Sequence, residues 1–133
     1  MKVLIIGSGA REHAIGVSVA KNKAVSELLF APGNAGTSRI GRNIEIKANE
    51  IEKLLDLAIK EKVDHTIVGP EDPLCLGVVD LFEKNGLKIF GPTKRAAALE
   101  GSKAYSKDFM IKYGIPTAVY ETTRDELSAK KAA

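Results

Sequence analysis

The sequence predicts an α/β fold built on a parallel sheet. Three observations lead there. Short apolar runs alternate with helix-length amphipathic stretches. The first run, Val3-Leu4-Ile5-Ile6, is apolar at every position, as in a strand buried on both faces. It passes directly into Gly7-Ser8-Gly9, a turn that opens a helix.

Residues 2–6 form the first strand. The first helix is expected over 11–22, with Ala14, Val17 and Ala20 on its inward face. Leu28-Leu29-Phe30 is the second strand, closed by Ala31-Pro32-Gly33-Asn34, whose Pro, Gly and Asn mark a loop. A short third strand is expected over 43–46. Asn49 is the expected N-cap of a helix over 50–62, with Ile51, Leu54, Leu55 and Ala58 inward. Thr66-Ile67-Val68 is the fourth strand. A helix follows, with Pro73 in its first turn and Gly86 stopping it. Residues 87–90 are the fifth strand. Two helices are expected over 94–99 and 102–113, broken at Glu100-Gly101. Gly114-Ile115-Pro116-Thr117 then turns into an extended Ala118-Val119-Tyr120. The tail over 123–133 is helical in composition, and Leu127 is its one large apolar residue. So polar an element fills no core of its own.

Composition narrows the class. The chain has 133 residues, enough for one domain with a real core. No apolar run approaches the ~20 residues that span a membrane, and no signal-peptide core is visible, so a cytoplasmic protein is expected. Cys75 is the single cysteine, which rules out an internal disulfide. The net charge is only +3, with Lys and Arg scattered among acids and few aromatic residues. No nucleic-acid surface is expected from that pattern.

Parallel sheets bind ligands at the carboxyl ends of their strands. Four strands here end in Gly- or Pro-bearing loops: Gly7-Ser8-Gly9, then 32–36, then Gly69-Pro70-Glu71, then Gly91-Pro92-Thr93. A shared site at that rim is expected. A dinucleotide is a poor fit for it. Glu12 stands where G-x-G-x-x-G needs its third glycine, and the second strand ends at Ala31-Pro32 without the acid that holds a ribose. A small phosphorylated ligand suits the turn better. Arg11 suits bidentate contact with a phosphate. His13 suits either a sugar hydroxyl or packing on the sheet. Glu12 is either part of the site or a solvent-facing acid of the first turn. Glu71 suits the two hydroxyls of a ribose. Asn34 is open between a ligand contact and a left-handed turn residue. Lys103 opens a helix after Gly101-Ser102 and suits a nucleotide phosphate. His65 is expected in the core or at an edge, and Cys75 as a small buried hydrophobe. The two histidines and the cysteine lack metal-ligand spacing, and neither a Ser-His-Asp pattern nor a Walker A motif is present.

Six segments in order carry a resemblance. They are residues 7–13 (Gly7-Ser8-Gly9-Ala10-Arg11-Glu12-His13), 31–37 (Ala31-Pro32-Gly33-Asn34-Ala35-Gly36-Thr37), 68–74, 90–93, 99–103 and 113–117. Together they resemble the N-terminal region of the phosphoribosylamine–glycine ligases (glycinamide ribonucleotide synthetases), ATP-grasp enzymes of purine synthesis. The resemblance runs from Met1 to about Tyr120. Ala10 stands where the family often has glycine.

The resemblance implies a Rossmann-like substrate-binding domain over 1–93, connecting helices over 94–113, and the start of an ATP-grasp domain over 114–133. It implies a ligase that joins glycine to 5-phosphoribosylamine through glycyl phosphate, at the expense of ATP and with Mg2+. Its substrate-binding residues would be Gly9, Ala10, Arg11, Glu12, His13, Pro32, Gly33, Asn34, Gly36, Thr37, Gly69, Pro70 and Glu71, with Lys103 on the nucleotide. The family's chains are much longer, and their catalytic and magnesium-binding residues come later. The chain is therefore expected to be a fragment, inactive alone, with non-native residues at 129–133. A monomeric parent is expected, and self-association of this chain through its connecting helices. The rival reading is a non-catalytic module that binds a nucleotide or sugar phosphate.

Overall fold

The computed structural model of the chain describes residues 1–132. They divide into two compact units, Met1–Ala97 and from Ala98 onward. The first unit holds a five-stranded, all-parallel sheet in the order β3-β2-β1-β4-β5. Its strands are β1 (Lys2–Gly7), β2 (Glu27–Pro32), β3 (Arg42–Asn43), β4 (His65–Val68) and β5 (Ile89–Phe90). β1 lies at the centre because it is apolar on both faces, and Leu4, Ile5 and Ile6 are fully buried. The chain winds outward from β1 to β3, then crosses back to β4. That reversal puts a topological switch point between β1 and β4.

The two faces of the sheet differ. Val3, Ile5, Leu28 and Phe30 pack with Ile15, Val19 and Ile40 on the side of α1 (Ala10–Val19). Leu4, Ile6, Leu29, Ala31 and Val68 face the larger core, shared with α2 (Ile51–Lys60), α3 (Glu71–Leu76) and α4 (Val78–Lys84).

Several elements differ from expectation, each for a local reason. α1 turns inward through Glu12, Ile15, Gly16 and Val19, whereas Ala14, Val17 and Ala20 are exposed. Gly16 sets that face. A β carbon there would come within 2.5 Å of the Phe30 ring, so its bare backbone lies against the sheet. β3 is Arg42–Asn43 rather than 43–46, since Ile44 gives its N–H to Phe30 O and the ladder stops there. Glu50, not Asn49, caps α2, and its carboxylate accepts the Lys47 N–H at 2.9 Å. The single helix expected after β4 is two. Gly77, with φ of +97°, ends α3 and begins α4. Gly86, with φ of +73°, follows α4 as expected. His65 opens β4, an inner strand, and is exposed. Cys75 is half-buried against the larger core.

α5 (Lys94–Gly101) leaves the first unit, with Ala97 in the core and the Lys94 N–H on Asp80. In the second unit, Ser102 caps α6 (Lys103–Lys112) by accepting the Tyr105 N–H, so the break falls one residue after Gly101. Lys107 donates to Thr117 Oγ1 at 2.7 Å, and the Tyr120 hydroxyl donates to Asp108. These bonds hold residues 114–120 against α6 in place of strand pairing. Asp125 caps α7 (Glu126–Ala132) through the Ser128 N–H. The last residue of the expected tail helix, Ala133, lies outside the described residues. No helix among the described residues is long and apolar enough to cross a membrane.

Candidate functional site

The carboxyl rim of the sheet gathers the loops after β1, β2 and β4. Backbone bonds continue the ladders past the strand ends: Gly33 N–H reaches Gly7 O at 3.1 Å, and Gly69 N–H reaches Ile6 O at 3.0 Å. The loops on both sides of β1 are thereby set in register with it.

The β1 turn leaves the sheet at Gly7, whose φ of +128° only glycine adopts readily. Gly9 is extended and caps α1. The first intrahelical bond is His13 N–H to Gly9 O. The N–H groups of Ala10, Arg11 and Glu12 precede it and have no helical partner, as at any helix start. The positive end of the α1 dipole lies at the same place. Glycine at the cap leaves no side chain to serve those donors, and Glu12 folds back onto the N–H of the cap itself. Its Oε2 accepts the Gly9 N–H at 2.6 Å, and its Oε1 accepts Arg11 Nε at 3.0 Å. Glu12 is only 3% exposed, which excludes the solvent-facing alternative.

The β2 loop is tied to this turn by one side chain. Asn34 Nδ2 donates to Ser8 O at 2.8 Å and Gly9 O at 3.2 Å, while Oδ1 accepts the N–H groups of Gly36 and Thr37. Both halves of the amide are engaged. Asn34 is not left-handed; among the described non-glycine residues only Lys62 has a positive φ. Thr37 is fully buried and its hydroxyl accepts the Asn34 N–H at 2.7 Å. Asn43 Nδ2 donates to Asn34 O at 2.8 Å and closes the loop from β3. Gly33, at φ of +74°, has no room for a β carbon beside Asn43 and Thr37. Half-buried His13 lies against Gly36, where a β carbon would come within 2.9 Å of its ring.

The β4 loop brings Gly69 against Glu12 and Pro70 against Gly7. A β carbon on Gly69 would sit 2.6 Å from Glu12 Cγ. Glu71 and Asp72 follow as exposed acids in the first turn of α3. The β5 loop is fixed differently, by Gly91 packing against Leu74 and Val79.

The fold thus joins Gly9, Glu12, His13, Asn34, Gly36, Thr37, Gly69 and Pro70 through direct bonds and contacts. Ala10 and Arg11 lie in the same helix turn, and Pro32, paired with Gly7, ends β2 beside them. Lys103 belongs to the second unit, at the start of α6. There it lines a shallow cavity of about 280 Å³ with Glu100, Ser106 and Lys107. Asn43 was missed from the sequence. Its signal was an asparagine inside a strand, where the residue is disfavoured unless its side chain has a partner.

Residues 1–100 match the family model described as phosphoribosylglycinamide synthetase, N domain. The chain is 57% identical over 122 residues to a phosphoribosylamine–glycine ligase of Xanthomonas campestris, covering 90% of this chain and 28% of that protein. It is 53% identical over 133 residues to one of Chlorobaculum tepidum, covering 98% of this chain and 31% of the other. The crystal structure of the Thermotoga maritima phosphoribosylamine–glycine ligase superposes with a TM-score of 0.66 at 42% identity, covering 91% of this chain and 27% of that one. The chain spans under a third of the length of these curated relatives. A match over 1–100 takes in every loop of the rim, and on that ground the chain belongs to the phosphoribosylglycinamide synthetase N-domain family.

Proposed function

We propose that this chain supplies the phosphoribosyl-binding part of a phosphoribosylamine–glycine ligase, an ATP-dependent carbon–nitrogen ligase of purine synthesis in the cytoplasm. One observation carries the reading. The loops after β1, β2 and β4 converge on a helix N-terminus where the amides of residues 10–12 have no partner among the described residues, and Asn34 and Glu12 hold them together. An anionic group on a small sugar suits that place.

In this reading the amides of residues 10–12 and the Arg11 guanidinium take the 5-phosphate. Glu71 accepts ribose hydroxyls, and His13 meets a further hydroxyl across Gly36. Pro32, Gly33, Gly36, Thr37, Gly69 and Pro70 shape the wall, with Asn34 as its brace. The reaction transfers the γ-phosphoryl of ATP to a glycine carboxylate oxygen, releasing ADP. The sugar amine then attacks the carbonyl of glycyl phosphate, loses a proton, and expels phosphate as the amide forms. Lys103 is proposed on the nucleotide phosphates, with a domain boundary near residue 93 and ATP-grasp structure from about residue 114. Magnesium belongs to this chemistry, yet among the described residues no three His, Cys, Asp or Glu side chains gather to hold an ion.

The experiment is a titration of ribose 5-phosphate into the isotopically labelled chain, followed by amide shifts. Ribose 5-phosphate stands in for the labile aminosugar. Saturable shifts at residues 9–13, 34 and 71 are expected. Their absence, or equal shifts with NAD, would overturn the reading. The 133 residues alone are proposed not to form glycinamide ribonucleotide, and turnover by the purified chain would contradict that. They are further proposed to self-associate through exposed apolar residues such as Ile111, Tyr113 and Val119. A constant monomer mass in sedimentation at rising concentration would refute it.

A further inference from the structure

Arg11 and Glu12 occupy neighbouring positions in the first turn of α1. Adjacent residues of a helix do not face each other. Even so, Arg11 Nε donates to Glu12 Oε1 at 3.0 Å, so the guanidinium lies back across the turn. The carboxylate that holds it is itself fixed, because Oε2 takes the Gly9 N–H. Three glycines enclose it. A β carbon would come within 2.7 Å of Glu12 Cγ on Gly7, 2.9 Å of Oε2 on Gly9, and 2.6 Å of Cγ on Gly69. Glu12 is buried, while the Arg11 side chain is 57% exposed. The bond to Nε uses one edge of the guanidinium. Its two terminal nitrogens keep the paired geometry that matches two phosphate oxygens.

We propose that Glu12 is a positioning residue for a phosphate monoester: it does not touch the ligand but fixes Arg11 through Nε, on the helix turn whose amides are unpaired. This rests on the reading of the turn as a phosphoribosyl pocket. It makes a prediction opposite in sign to simple electrostatics. A carboxylate near a phosphate repels it, so by charge alone neutralising Glu12 would tighten binding. If Glu12 positions Arg11, neutralising it loosens binding. Glu12→Gln keeps an oxygen for Gly9 but turns an NH2 toward Arg11, which cannot accept a bond from Nε.

The test uses the full chain with ribose 5-phosphate as the probe. Glu12→Gln is expected to weaken binding by about tenfold. Arg11→Lys, which keeps the charge at an exposed position but loses the fork, is expected to bind as weakly as Arg11→Ala. In the Arg11→Ala background, Glu12→Gln should add no further loss. An independent readout is the Arg11 Nε–H resonance, expected to be slow in solvent exchange in the wild type and fast in Glu12→Gln. Wild-type binding with equal or tighter binding by a folded Glu12→Gln overturns this inference alone. So does a fast-exchanging Nε–H in the wild type, whether or not Glu12→Gln folds. No uptake of ribose 5-phosphate by the wild type overturns the pocket reading and this inference together.

Discussion

Thr66 buries its hydroxyl within β4, and Oγ1 has no hydrogen-bond partner among the described residues. It pairs in register with Leu4 on β1, which faces the larger core. A buried hydroxyl without a partner loses its water and gains nothing in return. Thr66→Val keeps the branched shape that strands favour and removes that atom. It is expected to stabilise the fold by about 1 kcal/mol, read as a higher urea midpoint at unchanged m-value. A lower midpoint would mean the hydroxyl has a partner after all. The same scale shows what the sequence could and could not tell. Gly7, Gly9 and Glu12 stood out because they sit at fixed offsets in a turn motif. The burial of Glu12 did not, since it depends on Gly69, which is 57 positions away along the chain and meets Glu12 only across the sheet. Asn34 was visible as a turn residue, but its role as a brace comes from Ser8 and Gly9, again remote in sequence.

Elements were legible where one signal dominated. β1, β2 and β4 were, because continuous apolar runs bounded by turn residues have one good reading. α1 was found, but with its face reversed, because an inward glycine carries no hydrophobic signal while outward alanines and Val17 do. The break between α3 and α4 was hidden in the same way, in the left-handed conformation of Gly77. The end of α2 yields a prediction of this kind. Lys62 N–H reaches Ile59 O and Val63 N–H reaches Ala58 O, the paired bonds of a Schellman motif, with Lys62 at φ of 53° where glycine is usual. Lys62 is exposed, so its side chain adds little there. Lys62→Gly is expected to stabilise the chain by about 0.5–1 kcal/mol, since the left-handed penalty of a β carbon disappears. Thermal unfolding checks it, and a drop in Tm would show that the lysine stem packs on α2.

At the scale of the whole sheet, the amino rim is organised by charge as the carboxyl rim is by glycine. Lys2, Glu27 and Arg42 begin β1, β2 and β3, and Glu61 follows α2. Lys2 Nζ lies 2.8 Å from Glu61 and 3.0 Å from Glu27, and Arg42 lies 2.9 Å from Glu61 and 3.2 Å from Glu27. The four charges alternate in sign and close a ring across three neighbouring strands. Hydrogen bonds from Lys2 and then Arg42 hold the Glu61 carboxyl at about 2, against 4.5 ordinarily. Glu27 is lowered too, chiefly by Lys2. A carboxylate whose pKa falls on folding stabilises the fold at every pH above its unfolded value, and that contribution is lost as pH drops through the folded one. Stability is therefore expected to be level from pH 7 to about 5 and to fall between about 4.5 and 2. Glu61→Gln, which removes the titrating group but keeps its size, should lower the urea midpoint at pH 7 and flatten the fall below pH 4.5. The two midpoints should converge near pH 2. An acid limb equally steep in the variant would place the acid sensitivity elsewhere, and salt gives a further check. The pairs are only partly exposed, so 0.5 M NaCl should reduce the wild-type advantage at pH 7 without abolishing it.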